Sequence, residues 1–123
     1  MAATILCVDD DDLVLLAIEE LLRTEGYDVI TAPGGQEALK ILEDRDVDLM
    51  IFDIIMPGMD GYELCERVRK NDRFADTPVI MLTARSGEED RKRGMEAGAT
   101  VYLQKPISPV KLNSLVASIL KAK

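Results

Sequence analysis

Five short apolar runs, separated by stretches of helical periodicity, decide what this chain can fold into. The runs cover residues 4–8, 28–31, 47–53, 78–83 and 100–103. Val, Ile, Leu and Met dominate them with no clear polar alternation, as in strands covered on both faces of a parallel sheet. In the first intervening stretch Val14, Ala17, Ile18 and Leu21 share one face, Glu19, Glu20 and Arg23 lie elsewhere, and Gly26 supplies a stop. The second spans about residues 35–44, with Ala38, Leu39, Ile41 and Leu42 inward. The others span about 61–70, 87–97 and 108–121, the last opening on Ser108-Pro109, a capping residue followed by proline at the first helical position. Asp11 and Asp12 suit the start of the first helix, where acids cap and favour the dipole. In the fourth helix Glu88–Lys92 and Glu89–Arg93 have the favourable i,i+4 order of a solvated face. Strands alternating with helices give an α/β fold, (βα)5, a doubly wound parallel five-stranded sheet with right-handed crossovers. The length of 123 residues fits one domain over residues 1–123.

Composition narrows the chemistry. Lys plus Arg is 15 and Asp plus Glu is 23, a net charge of −8, which opposes nucleic acid as the main partner and a polybasic membrane anchor. No apolar run approaches the ~18 residues of a membrane span. The opening residues lack a basic region and run into four aspartates, so no signal peptide is expected and the location is cytoplasmic. The chain contains no histidine, which removes serine–histidine and cysteine–histidine nucleophile pairs and histidine metal sites. Tyr27, Tyr62, Tyr102, Phe52 and Phe74 are too few for a base-stacking platform. Cys7 and Cys65 fit small buried apolar positions in a reducing compartment.

The residues that follow the strands carry the chemistry. Strand one leads into Asp9, Asp10, Asp11 and Asp12, strand three ends at Asp53, strand four at Thr83, and strand five reaches Lys105 after Gln104. Ligands of such sheets bind beyond the carboxyl ends of the strands, where strand order reverses. Acids, a hydroxyl and an ammonium therefore converge on one sheet edge. These residues, with Val8-Asp9-Asp10, the stretch from Ile51 through Asp53 and Pro57 to Gly61, Thr77-Pro78 through Thr83-Ala84, Gly98-Ala99 and Lys105-Pro106, occur in order along essentially the whole chain. In this the sequence resembles the receiver domains of bacterial two-component response regulators, the family of the chemotaxis protein CheY. The resemblance implies the flavodoxin-like strand order 2-1-3-4-5.

It also implies the roles of the site residues. Asp53 is the phosphoacceptor, and the cofactor is Mg²⁺, with Mn²⁺ as a substitute. The metal ligands are Asp10, Asp53 and the backbone carbonyl of Ile55, with Asp9 acting mostly through water. Physical chemistry agrees: neighbouring strands lie about 4.8 Å apart, and two like charges about 4 Å apart repel by roughly 4 kcal/mol at an effective dielectric near 20. Such a cluster calls for a cation, and all-oxygen ligation beside a phosphate suits Mg²⁺. Lys105 starts about 10 Å from Asp53, two strands away, and pairs with Asp53 or a phosphoryl oxygen, aimed at the pocket by the cis Lys105-Pro106 bond that the resemblance implies. Thr83 donates to the phosphoryl group and Tyr102 moves into the space it vacates. Ile55 and Arg85 flank the path of an attacking water and set phosphoryl lifetime.

A chain without histidine needs a phosphoryl donor, so the implied partners are a histidine kinase or phosphotransfer protein, with small acyl phosphates as further donors. Downstream, the surface of helix four, strand five and helix five acts on a target or an output domain, and it offers a route to a phosphorylation-dependent homodimer. The chain is then no enzyme beyond its own phosphorylation and dephosphorylation. Three other readings stand beside this one, of which a flavin-binding flavodoxin-like protein rests on the fold alone, and the chain has few aromatic residues to stack an isoalloxazine. A phosphatase with an aspartate nucleophile carries a second Asp two residues on, where this chain has Ile55. A pseudo-receiver binds partners without phosphorylation, and the complete set of Asp10, Asp53, Thr83 and Lys105 counts against it.

Overall fold

The computed structural model describes residues 2–84, 87–106 and 108–121. Its elements are β1 (Thr4–Val8), α1 (Asp12–Thr24), β2 (Asp28–Ala32), α2 (Gly35–Asp44), β3 (Leu49–Phe52) and α3 (Gly61–Lys70). A 3-10 turn at Asp72–Phe74 precedes β4 (Val79–Thr83), α4 (Glu88–Ala97), β5 (Val101–Gln104) and α5 (Pro109–Lys121). The strands form one sheet in the order β2-β1-β3-β4-β5, with every pairing parallel. The expected (βα)5 architecture and its strand order are both present.

The absence of polar alternation in the strands has a direct cause. Side chains alternate between faces along a strand, and both faces are covered. Leu6, Val8, Met50, Phe52, Val79 and Met81 face a core closed by α2, α3 and α4. Ile5, Cys7, Leu49, Ile51, Ile80 and Leu82 face one closed by α1 and α5. No helix of the described residues is long and apolar enough to cross a membrane.

Three strands start later than the sequence suggests, β5 by a single residue, at Val101. β3 begins at Leu49 because Asp48 turns its carboxylate to the Thr4 N–H, 2.8 Å away, while its own N–H donates to the Thr4 carbonyl. β4 begins at Val79 because Pro78 has no N–H to give, although its carbonyl accepts from Met50 N. The buried face of α1 is also rotated from the expected one. Leu15, Ile18 and Leu22 are buried, whereas Val14 and Leu21 are half-buried and Ala17 is exposed. The helix carries apolar residues around much of its circumference, so periodicity alone does not select the face that meets the sheet and α5.

The expected caps form. Asp11 accepts hydrogen bonds from Leu13 N and Val14 N. Ser108 Oγ accepts from Lys111 N at 3.0 Å. Gly26, at φ +95°, ends α1, with its N–H donating to the Arg23 carbonyl and Tyr27 N–H to that of Leu22. Arg93 departs from the expected i,i+4 pairing with Glu89: its guanidinium reaches Glu66 of α3 at 3.3 Å. A neighbouring helix thus takes the cation from its own helix.

Cys7 and Cys65 are free and buried, on opposite faces of the sheet. Burial, helped by the charges of Glu19 and Asp9, pushes the Cys7 thiol from 9.0 up to about 12. Burial also raises Cys65 from 9.0 to about 11, with Arg69 pulling down and Glu66 adding to the rise. Both folded values lie above the unfolded one, so the stability held by neutral thiols is complete below about pH 9. It falls as pH rises toward the folded values, because the unfolded thiols ionise first. Denaturant titrations at pH 8 and pH 10 check this. The parent should lose about 2–3 kcal/mol more between the two than a Cys7→Val/Cys65→Ala variant, at ~1.4 kcal/mol per thiol per unit.

Candidate phosphoacceptor and metal site

The site is built by strand register. Val8 pairs with Phe52, so the next residues, Asp9 and Asp53, leave neighbouring strands side by side. Asp53 N–H donates to the Val8 carbonyl at 2.9 Å and Asp9 N–H to that of Ala32 at 3.2 Å, which fixes both backbones. The two aspartates are buried. Each commits one carboxylate oxygen to local backbone: Asp9 Oδ1 accepts from Asp11 N at 2.9 Å, and Asp53 Oδ1 from Ile54 N at 2.7 Å and Ile55 N at 3.4 Å. Their other oxygens face Lys105, whose Nζ donates to Asp9 Oδ2 at 2.7 Å and to Asp53 Oδ2 at 3.3 Å.

Lys105 thus spans two strands, as expected, but its shorter bond goes to Asp9 and not to Asp53. Its backbone is held where β5 leaves the sheet by a bond from Lys105 N to the Thr83 carbonyl at 2.7 Å, and the Lys105-Pro106 peptide is cis. Burial alone would lower the pKa of this ammonium. The bond to Asp9 and the charge of Asp53 outweigh burial and leave it above its ordinary value.

Asp10 is exposed and completes the cluster: carboxylate oxygens of Asp9, Asp10 and Asp53 all lie within 4.8 Å of one another. This all-carboxylate donor set fits a hard divalent cation, because three anions so close are favourable only around positive charge, and one ammonium neutralises only part of theirs. Ile55 stands at the rim, 49 % exposed. Arg85 lies outside the described residues.

Thr83 is fully buried at the end of β4 and pairs in register with Gln104. By strand alternation Met81 and Thr83 point to the same face as Tyr102 and Gln104. Thr83 and Tyr102 are therefore diagonal neighbours on adjacent strands. Tyr102 is 2 % exposed, so its ring is buried already. Sequence reasoning passed over Gly94, where a Cβ would come within 2.8 Å of Tyr102 Cδ2, and the bonds from the Tyr62 hydroxyl to Asp90 that join α3 to α4. The signal available was Tyr62 itself, an aromatic on the inward face of α3.

The chain's relatives are consistent. The response regulator receiver domain family matches residues 5–117. The alkaline phosphatase synthesis transcriptional regulatory protein PhoP of Bacillus subtilis is 40 % identical over 121 residues, covering 98 % of this chain and 50 % of its own. The transcriptional regulatory protein AfsQ1 of Streptomyces coelicolor is 36 % identical, covering 96 % of this chain and 51 % of its own. This chain spans about half the length of these curated relatives. Among solved structures, a putative response regulator from Chloroflexus aurantiacus is 42 % identical with a TM-score of 0.93, covering 98 % of this chain and 99 % of that one. The chemotaxis protein CheY4 of Vibrio cholerae is 34 % identical with a TM-score of 0.93, over 97 % of this chain and 99 % of that one. A fold, an acid–lysine cluster and a family match that agree over nearly every residue lead to one conclusion: this chain belongs to the response regulator receiver domain family, the phosphorylation-controlled switches of two-component signalling.

Proposed function

We propose that Asp53 accepts a phosphoryl group from the phosphohistidine of a histidine kinase or phosphotransfer protein, or from a small acyl phosphate. The observation that carries this reading is the Lys105 ammonium, donated to Asp9 and Asp53 together, beside the exposed carboxylate of Asp10. A carboxylate oxygen of Asp53 forms the new bond to phosphorus, and the bond to the donor's nitrogen or acyl oxygen breaks. Little covalent help is needed in such a transfer, so the protein's work is positioning and charge neutralisation. Lys105 answers charge on the phosphoryl oxygens as a point cation. Thr83 donates its hydroxyl to the same group. Asp9, Asp10, Asp53 and the Ile55 carbonyl hold Mg²⁺ or Mn²⁺, which when bound neutralises charge on the transferred group. Water later attacks phosphorus, releases inorganic phosphate and restores the carboxylate, with Ile55 and Arg85 setting that rate.

The chain acts as a single domain over residues 1–123, in the cytoplasm, and turns over only its own phosphate. Its output is a changed surface of α4, β5 and α5, read by a target or an output domain, or by a second copy of the chain. Intact mass after incubation with Mg²⁺ and acetyl phosphate tests the chemistry. The parent should gain one phosphoryl group, and Asp53→Asn, or removal of Mg²⁺ by a chelator, should abolish the gain. A parent that gains nothing from either acetyl phosphate or a phosphorylated histidine donor, and binds no Mg²⁺, overturns the reading in favour of a pseudo-receiver.

A further inference from the structure

The loop between β3 and α3 carries the phosphoacceptor at one end and a helix cap at the other. At its start, Ile54 N–H and Ile55 N–H donate to Asp53 Oδ1 at 2.7 Å and 3.4 Å. At its end, Gly61 N–H donates to the Ile54 carbonyl at 3.0 Å, and Asp60 caps α3 by accepting from Glu63 N at 2.9 Å. The middle is less tied. Ile55 is half exposed, and Gly58 turns at φ +78° with open space beside it. Met56 and Met59 turn inward and are buried.

Met59 lies against Gly35, the first residue of α2. A Cβ at Gly35 would come 2.7 Å from Met59 Sδ and 3.1 Å from both Met59 Cβ and Met59 Cγ. Gly35 is buried, and its backbone does not have the positive φ that favours glycine. Alanine is the better helix former, so the missing side chain matters here for the room it leaves. The end of the methionine could swing away from an added methyl, but its Cβ moves only with the loop backbone. The turn that opens α2 also meets the other half of the acid cluster. The Ala32 carbonyl, three residues before Gly35, accepts from Asp9 N–H at 3.2 Å. Residues 32–35 supply no carboxylate, yet they touch the segment of Asp9 and Asp10 on one side and the loop that holds Asp53 on the other.

We propose that Met59, seated on Gly35, is a positioning residue for the metal site. The seat sets where the loop holds the Asp53 carboxylate and the Ile55 carbonyl relative to Asp9 and Asp10. The inference rests on the reading of this cluster as a Mg²⁺ site, and it adds two residues with no ligand atom that govern its affinity. Mg²⁺ demands near-ideal octahedral geometry, so a small displacement of the loop is felt as a loss of binding.

Mg²⁺ titrations followed by backbone amide resonances test this on the parent, Gly35→Ala, Met59→Ala, the double variant and Met59→Leu, each first shown to be folded by urea titration. Gly35→Ala and Met59→Ala should each bind Mg²⁺ about tenfold more weakly. The double variant should also be about tenfold weaker, and not about a hundredfold, because two changes to one contact do not add. Met59→Leu keeps an apolar side chain of similar volume and should bind like the parent. The Ile54 and Ile55 amide resonances should already be displaced in the metal-free single variants, since the loop moves before any ion arrives. Displaced resonances with unchanged Mg²⁺ affinity would confine the seat to packing and overturn its role at the site. Losses that multiply in the double variant would overturn the contact as the cause. Should Gly35→Ala fail to fold, equal affinities of Met59→Ala and Met59→Leu would still overturn the proposal. A parent that binds no Mg²⁺ overturns the metal reading and this consequence with it, whereas a parent that binds and is matched by both single variants overturns the seat alone.

Discussion

Replacing Lys105 with Met destabilises the metal-free protein by about 2–3 kcal/mol and slows phosphoryl transfer to Asp53 by roughly a hundredfold. The stability loss follows from what the ammonium faces. Lys105 Nζ bridges Asp9 and Asp53 at 2.7 Å and 3.3 Å, and the Asp10 carboxylate adjoins both. Removing this cation leaves three carboxylates whose oxygens lie within 4.8 Å of one another, two of them buried. Each such pair repels by roughly 3–4 kcal/mol at an effective dielectric near 20 and by less where water screens Asp10. Lost packing of the lysine stem would also destabilise, and two further outcomes separate the causes. Asp10→Asn should stabilise the metal-free protein, by about 1 kcal/mol, because it removes a charge and little packing. Millimolar Mg²⁺ should raise the stability of Lys105→Met more than that of the parent, since a divalent cation restores the neutralisation. Denaturant titrations with and without Mg²⁺ read all of this. An equal Mg²⁺ increment in parent and variant would show that the loss is packing and not charge.

The parts of this site that were legible in the sequence share a physical reason. Asp9, Asp53, Thr83 and Lys105 each directly follow a run of apolar residues, or come one residue later, and a buried parallel strand has no structural need for a charge at its end. Order along the chain places them on one edge because parallel strands all finish on the same side. Distances between side chains were not legible. The count of strands says that a lysine reaches the acids from β5, but not that Asp9 lies 0.6 Å closer to it than Asp53 (3.3 against 2.7 Å). The face of α1 was misread because the helix is over-supplied with apolar residues. Leu13 and Leu16 are 77 % and 51 % exposed while Leu15 and Leu22 are buried, and only the position of the sheet separates them. The Arg93–Glu66 pair and the Tyr62–Asp90 bonds join residues 27 and 28 positions apart in sequence. A local rule of three or four residues cannot find them. Residue chemistry at strand ends survives translation into sequence, and pairings made by packing between helices do not.

Gly61→Ala should be among the most damaging single-methyl changes in the molecule, costing at least about 3 kcal/mol, although nothing in the backbone angle of Gly61 requires glycine. The reason is contact. A Cβ on Gly61 would overlap the carbonyl oxygen of Asp53 and lie 2.8 Å from Ile54 Cα and 3.0 Å from the Asp53 carbonyl carbon. All three are backbone atoms, so no flexible side chain can swing away, and α3 or the loop after β3 must shift as a whole. The same close approach is held by the bond from Gly61 N–H to the Ile54 carbonyl at 3.0 Å, beside the Asp60 side chain that caps α3 by accepting from Glu63 N at 2.9 Å. Gly26→Ala is the control. Gly26 sits at φ +95° with nothing within 4 Å of an added methyl, so its cost is backbone strain alone, about 1 kcal/mol. Thermal or denaturant unfolding of the two variants should rank them in that order. Any Gly61→Ala protein that still folds should also accept phosphoryl groups slowly, because the peptide forced to move carries Asp53 and the two N–H groups, of Ile54 and Ile55, that hold its carboxylate. Gly26→Ala lies at the far end of α1 and should match the parent in transfer rate. Equal stability losses in the two variants, or a Gly61→Ala protein with unchanged transfer, would mean that α3 can draw back from β3 without disturbing the phosphoacceptor.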